Sequence, residues 1–205
     1  GVGTMDVDTY TYTNSQFLSP RIGPVFVSSD DKLWCDTYEE TWNTYLNEFK
    51  NTTALNCNNR MPNWVFNRKI KLPAGYIMGY QAGYIRPGVL ITYFFSGGTN
   101  IPKEYLYELH FPSEGSTDVT ATIVKTNIKL PDKYKIAGQY TKYWWGGGLN
   151  LSTDNKLLTV VHTFTQDPDI ADYILWDYTT GTAITYYNQL QINSDSWFTY
   201  LGSLF

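Results

Sequence analysis

Apolar and polar residues alternate over short segments along most of the chain, which is the period-2 pattern of half-buried β-strands. The clearest alternation begins at Trp64 and stops at the turn signal Pro73-Ala74-Gly75. Residues 89–95 are instead a run that is apolar except for Thr92, which predicts a central strand covered on both faces. Further strands are predicted at residues 4–13, 76–85, 105–111, 119–123, 134–137, 139–145, 156–165, 173–178, 183–187 and 197–205.

One segment, residues 36–50, has its apolar residues at helical spacing. Asp36 is followed by Glu39 at the spacing of a capping box, in which side chains satisfy the free amides at a helix start. A strand would divide the aromatic residues between two faces, so the pattern predicts a short helix lying on a sheet. The apolar stripe consists of Tyr38, Trp42, Tyr45, Leu46 and Phe49.

Around ten short strands separated by turns, with one short helix, predict an all-β fold built as an antiparallel β-sandwich or a barrel. The 205 residues show no internal repeat and no linker, so we expect a single domain with a packed core. Gly79 and Gly83 interrupt the strand predicted at 76–85. They indicate a bulge or a close approach of another backbone.

Composition excludes several classes of function. The formal charge of −4 argues against nucleic acid as a partner, because affinity for nucleic acid comes mostly from Lys and Arg. The longest apolar run, residues 89–95, is too short to cross a bilayer as a helix, so no membrane insertion is expected. The 18 tyrosines among few charged residues suit a Tyr-rich β protein with large amphipathic contact areas.

Candidate catalytic residues are sparse. His110 and His162 lie on separate predicted strands, and no Cys or His cluster has metal-ligand spacing. A glycosidase needs only two carboxylates that meet in space. The loop with Asp167, Asp169 and Asp172 has the oxygen ligands that Ca²⁺ prefers, and it equally has the composition of a solvated loop. The carboxylates available are Glu39, Glu40, Glu104, Glu108, Asp167, Asp169 and Asp172. We expect no enzyme activity, no metal and no cofactor.

The segment most similar to a binding surface is Tyr143-Trp144-Trp145, followed by three glycines and Asn150. Consecutive residues of a strand point to opposite faces, so one tryptophan must be covered by something other than the core of its own sheet. Trp144, Trp145 and Asn150 are therefore the predicted receptor-binding residues. The alternative is that both tryptophans fill the core or a contact between subunits.

The last stretch, residues 197–205, carries no charged side chain. In a strand, both of its faces would be substantially apolar. It is predicted to be buried, either as an inner strand of one monomer or in a subunit interface. A neighbouring subunit would cover the face that one sheet leaves open.

Two segments carry a resemblance to a known family. Gly23-Pro24-Val25-Phe26-Val27, followed by Leu33-Trp34, is similar to the shaft-to-head junction of adenovirus fibres. Leu33-Trp34 matches the centre of the hinge there, while Lys32 and Cys35 stand where the family has threonines. The terminal Trp197-Phe198-Thr199-Tyr200-Leu201 resembles the last strand of the same heads. The body, including residues 36–50, departs from the heads of mammalian viruses and points to an avian adenovirus fibre.

The resemblance implies a homotrimeric β-sandwich knob at the tip of a capsid spike. Residues 1–30 would be the end of the shaft with a first strand, and residues 31–205 the head domain. The head would attach the virion to a host cell-surface receptor, either protein or glycan. The alternative function is a carbohydrate-binding, lectin-like module that uses Trp144 and Trp145 as a stacking platform.

The residues alone leave open whether Cys35 and Cys57 pair. The resemblance places assembly in the host nucleus, a reducing compartment in which disulfides seldom persist. It therefore implies that both cysteines are free thiols.

Overall fold

The computed structural model describes residues 2–6, 11–16, 25–27, 32–39, 43–52, 64–96, 101–135, 143–163 and 169–192. These residues form β-strands almost throughout, with a single 3-10 turn at Asp132–Tyr134. The strands are β1 (Val2–Asp6), β2 (Thr11–Gln16), β3 (Val25–Val27), β4 (Lys32–Glu39), β5 (Asn43–Asn51), β6 (Trp64–Lys71), β7 (Tyr76–Arg86), β8 (Val89–Ser96), β9 (Tyr105–His110), β10 (Thr122–Lys129), β11 (Tyr143–Leu151), β12 (Lys156–Thr163), β13 (Asp169–Asp177) and β14 (Thr182–Ile192).

The strands pair in sequence order as a series of meanders. Three sheets have four strands each, in the orders β3-β4-β5-β6, β10-β9-β8-β7 and β11-β12-β13-β14, and β1 and β2 form a separate pair. Every ladder between these strands is antiparallel. The predicted all-β, antiparallel class is confirmed.

Strand β8 supplies side chains to two separate cores. Leu90 and Phe94 pack in core A, which also takes residues from β5 and β6, while Ile91 and Tyr93 pack in core B with residues from β11, β12 and β13. Side chains of successive strand residues point to opposite faces, so the apolar run is needed to fill both cores. The prediction of a central strand covered on both faces is confirmed.

Both glycines of β7 are sites of close approach, and at Gly83 the neighbour is another backbone, as predicted. A Cβ added at Gly79 would lie 2.2 Å from the Tyr93 ring, and one added at Gly83 would lie 1.6 Å from the carbonyl oxygen of Leu149 on β11. The register between β7 and β8 also shifts between Met78 and Ala82, which is an irregularity of the bulge type. Only glycine lets β7 and β11 meet backbone to backbone here.

The helix predicted for residues 36–50 is wrong. Residues 36–39 belong to β4 and residues 43–50 to β5, and the two strands pair antiparallel with Asp36 opposite Leu46 and Thr37 opposite Tyr45. Aromatic and β-branched residues favour strands, and β6 offers β5 a second ladder that an isolated helix would forgo. Leu46 is fully buried in core A. The helical spacing arose because two strand arms of a hairpin were read as one continuous stripe.

Three smaller predictions are also corrected. The strand predicted at 4–13 is not one strand, because residues 4–6 belong to β1 and residues 11–13 to β2, and these two strands pair with each other. The strand predicted to end at Trp145 continues to Leu151, because the three glycines after Trp145 lie within β11, where the register shifts between Gly146 and Asn150. Tyr134 lies in the 3-10 turn and not in a strand. Residues 197–205 and Cys57 lie outside the described residues, so the predictions for them stay predictions.

Candidate functional site

A group of four polar side chains, here called the Glu108 cluster, lies where β7, β9 and the β13–β14 turn meet. It consists of Arg86, Glu108, His110 and Tyr178. Glu108 and His110 are two residues apart on β9 and therefore share one face. Arg86 Nη2 donates to Glu108 Oε2 at 2.8 Å, and His110 Nε2 lies 2.6 Å from the same oxygen. The Tyr178 hydroxyl donates to the other oxygen, Oε1.

Two turns bring Arg86 and Tyr178 to this place. Pro87-Gly88 joins β7 to β8, and Gly88 has φ +76°, the left-handed conformation required at the third position of a type II turn. After β13, Asp177 Oδ1 accepts hydrogen bonds from the amides of Thr179 and Thr180 at 3.0 and 3.1 Å. The second turn is thereby fixed with Tyr178 directed at Glu108.

The cluster holds its carboxylate ionised and its phenol protonated. Burial raises the pKa of Glu108, but hydrogen bonds with Tyr178 and His110 and the charge of Arg86 outweigh it, so the net pKa is lowered. Burial and the hydrogen bond to Glu108 raise the pKa of Tyr178. A carboxylate that resists protonation is a poor general acid. The cluster is suited to fixing a surface and not to transferring protons.

Part of the cluster remains accessible. The Arg86 side chain is 49% exposed, whereas Glu108 is largely covered. Across the ladder from Glu108 stands Val124 of β10, which is 44% exposed. This surface carries fixed hydrogen-bond donors next to an exposed apolar side chain, a composition that suits the recognition of a partner surface.

A second ionic group, the Glu48 cluster, is buried. Glu48 is 0% exposed, and its Oε2 accepts a hydrogen bond from Arg68 Nε at 3.1 Å and lies 3.8 Å from Lys32 Nζ. Its Oε1 accepts a hydrogen bond from the Asn67 side-chain amide. Arg68 also donates to the carbonyl of Pro112 at 2.7 Å. The cluster ties the β3–β6 sheet to the loop after β9, so its role is structural.

The structure places the predicted receptor-binding residues on β11. Trp144 pairs with His162, Trp145 with Val161 and Asn150 with Leu158. The Trp145 ring is 1% exposed, packs in core B and donates through Nε1 to the Lys103 carbonyl at 3.3 Å. Trp145 thus faces the core and not solvent. The side chains of Trp144 and Asn150 lie outside the described residues, so a binding role for these two stays a prediction.

Two of the carboxylates considered for catalysis, Glu108 and Asp172, belong to separate polar groups. Glu108 belongs to the cluster described above, while Asp172 accepts from the Tyr134 hydroxyl at 2.5 Å and from Lys133 at 3.2 Å. Within the described ranges no three His, Cys, Asp or Glu residues are grouped as metal ligands. Nor does any helix there have the length and apolar character needed to cross a membrane.

Sequence reasoning missed the Glu108 cluster. The shared face of Glu108 and His110 was evident from their spacing, but Tyr178 is 70 residues away along the chain. No local signal connects these positions, since the contact depends on how two sheets stack. Neither a scan against protein-family models nor a search of curated proteins finds a match to this chain.

Proposed function

We propose that this chain is the receptor-binding head of a trimeric viral attachment fibre of the adenovirus type. The observation that carries the proposal is the place of the junction-like residues. Phe26 on β3 pairs with Trp34 on β4, and Val27 pairs with Leu33, at the edge of an all-antiparallel β body. The described part of the segment that resembles a shaft-to-head junction thus supplies two strands of this sheet, which supports the proposal that the segment adjoins the head.

A sandwich architecture for the head is supported by core B. The sheet of β7 to β10 contributes Ile91 and Leu106 to this core, and the sheet of β11 to β14 contributes Trp145, Leu157 and Trp176. Two antiparallel sheets that share one apolar core are the arrangement expected of a β-sandwich. A homotrimer would in addition cover the apolar residues 197–205.

The proposed activity is binding without chemistry. The ionisable groups of the Glu108 cluster neutralise one another and present a preformed surface at the end of the sandwich. A spike with three identical heads presents three sites of modest affinity. Once one site is bound, the others are at a high effective concentration near the cell surface, so the attachment as a whole is strong. The cell-surface receptor is either a protein or a glycan, and localisation on the virion follows from the same proposal.

A lectin-like module is the second candidate. It is favoured by the position of Trp144 on β11, an outer strand of its sheet, beside Gly146 and its two following glycines. Glycine leaves room for a ligand to approach the backbone. A sugar ring stacked on an aromatic residue would use that room.

The test combines solution mass with binding. Sedimentation of the 23.5 kDa chain should give a trimer, and the trimer should bind host cells saturably. A monomer at all concentrations would overturn the fibre proposal. A glycan array then separates the two candidates, because a defined oligosaccharide bound by a monomer favours the lectin-like module.

A further inference from the structure

We propose that the outer edge of β10 binds an acidic peptide segment of a partner protein in extended conformation, as an added strand. This inference goes beyond the proposed function, because it names a surface and a ligand chemistry that attachment does not require. Three observations carry it: the edge position of β10, the division of its side chains between two faces, and its charge.

The edge is open over a defined stretch. β10 is the last strand of its sheet, and within the described ranges β9 is the strand that pairs with it. At one end, the Ala121 amide donates to the Lys71 carbonyl at 2.8 Å. At the other end, a Cβ added at Gly181 would lie 2.4 Å from the Asn127 carbonyl oxygen, so the β13–β14 turn covers the backbone there. Residues 122–126 lie between these two covers.

An open strand edge presents amide and carbonyl groups that an extended peptide can pair with. Thr122, Val124 and Lys125 are all exposed on this stretch. Main-chain hydrogen bonds would give affinity, while the alternating side chains would select the peptide. The edge is therefore a site for a strand and not for a compact ligand.

The two faces of the edge differ in character. Val124 lies opposite Glu108 in the ladder, and Lys125 lies opposite Tyr107 on the other face. An added strand would meet the exposed side chain of Val124 on one face and that of Lys125 on the other. A peptide with acidic residues on the lysine face and apolar residues on the Val124 face fits both.

The charge of this region is opposite to that of the chain. Residues 122–135 contain four lysines and one aspartate, which gives +3, in a chain whose formal charge is −4. Lys129 and Lys135 pair with Asp132, and Lys133 pairs with Asp172. Lys125 instead lies 4.5 Å from the centroid of the Tyr105 ring and makes no ion pair with the described residues. Its ammonium group is available to a carboxylate.

Lysine at a strand edge also opposes pairing between two copies of the chain, because facing lysines repel. The same charge attracts an acidic strand, so one residue rejects the wrong partner and favours the right one. Charge complementarity thus selects a peptide from another protein over a second copy of β10.

The probe is a fluorescein-labelled synthetic peptide in which glutamate and valine alternate, titrated into the full chain and followed by fluorescence anisotropy. We expect saturable binding, with Lys125→Glu raising the Kd by about tenfold or more. Lys69→Glu is the matched control. Lys69 is also exposed and lies 3.8 Å from the centroid of a tyrosine ring, that of Tyr45, but it stands in a different sheet. This control should leave the Kd unchanged.

Strand addition is tested separately from charge attraction, on the unaltered protein. A peptide with alternate N-methylated amides cannot donate the hydrogen bonds of a strand, so it should bind at least about tenfold more weakly. Amide hydrogen exchange of residues 122–126 should slow when the unmodified peptide is added. Equal binding of the two peptides, equal binding by Lys125→Glu, or no saturable binding would each overturn the proposal. Protection of the same amides by protein concentration alone would assign the edge to a second copy and overturn it too.

Discussion

The hydroxyl of Tyr178 donates a hydrogen bond to Oε1 of Glu108 and so joins the β13–β14 turn to β9 in the neighbouring sheet. The two residues come from the two sheets that enclose core B. Because Arg86 and His110 contact the second oxygen of the same carboxylate, Glu108 links the β13–β14 turn to both β7 and β9.

Replacing Tyr178 by phenylalanine removes that anchor. Tyr178→Phe leaves one oxygen of a largely buried carboxylate without its donor, so the free energy of unfolding should fall by about 1–3 kcal/mol. Urea denaturation followed by tryptophan fluorescence measures the change. Tyr45→Phe is the control, because the Tyr45 ring keeps its contact with Lys69 when the hydroxyl is lost. A similar loss in both variants would contradict the anchoring role.

The Glu108 cluster predicts a loss of stability in acid. The pKa of Glu108 is lowered in the folded protein from its ordinary value of 4.5, so its contribution is present above that value. The contribution is lost as the pH falls from about 4.5 through the folded pKa. Denaturation measured across this range should show a smaller decline for Glu108→Gln than for the wild type. Parallel curves for the two proteins would refute the assignment.

Tyr107 predicts a loss of stability in alkali. Burial, followed by the nearby charges of Tyr76, Glu104 and Tyr105, raises the pKa of Tyr107 from 10.0 to about 12. A raised folded pKa stabilises the protein below the unfolded value, and the stabilisation is lost as the pH rises from about 10 to about 12. Tyr107→Phe should therefore lose less stability over that interval. The hydrogen bond from the Tyr107 hydroxyl to the Pro102 carbonyl, 2.8 Å long, is absent in the variant at every pH. The comparison therefore concerns how stability changes with pH and not its absolute value.

Breaking a buried ion pair should lower the free energy of unfolding more than breaking an exposed one, and β5 takes part in one pair of each kind. Glu48→Gln leaves Arg68 and Lys32 without their buried counter-ion and should cost about 3–5 kcal/mol. Glu114→Gln breaks an exposed pair with Lys50 and should cost about 1 kcal/mol or less. Thermal denaturation of both variants gives the comparison. Equal costs would show that Glu48 is not the buried partner described.

The two tryptophans of β11 should respond differently to truncation. Trp145→Ala removes a fully buried ring from core B and should cost about 3–5 kcal/mol or prevent folding. Trp144→Ala, if Trp144 contacts the receptor as predicted, should weaken cell binding while the melting temperature stays close to that of the wild type. A folded Trp144→Ala protein that binds cells as tightly as the wild type would remove Trp144 from the binding surface.

Sequence patterns predicted the structure correctly where a segment fitted only one type of secondary structure. The run of residues 89–95, apolar except for Thr92, predicted both the place of β8 and the coverage of its two faces, and Gly83 correctly marked a close approach of another backbone. Residues 36–50 misled because a hairpin can place apolar residues at helical spacing when its two arms are read as one. The choice between these readings depended on β6, which becomes a neighbour only in the fold.

The Glu108 cluster was beyond sequence reasoning for a related reason. Arg86 and Tyr178 reach Glu108 only after two turns and two stacked sheets have formed. For the two tryptophans of β11, alternation predicted opposite directions, but it could not say which ring would enter the core. Which side chains meet, and which ring enters a core, depends on how the sheets pack and not on spacing along a strand.

The alternation of β8 between core A and core B has a consequence for how the chain loses its structure. Leu90 and Ile91 are adjacent in the backbone but belong to different cores. Displacing β8 would disrupt both cores at once, so the shared strand couples them into one cooperative unit. Melting should accordingly proceed as a single transition, with the amides of β8 among the last to exchange with solvent.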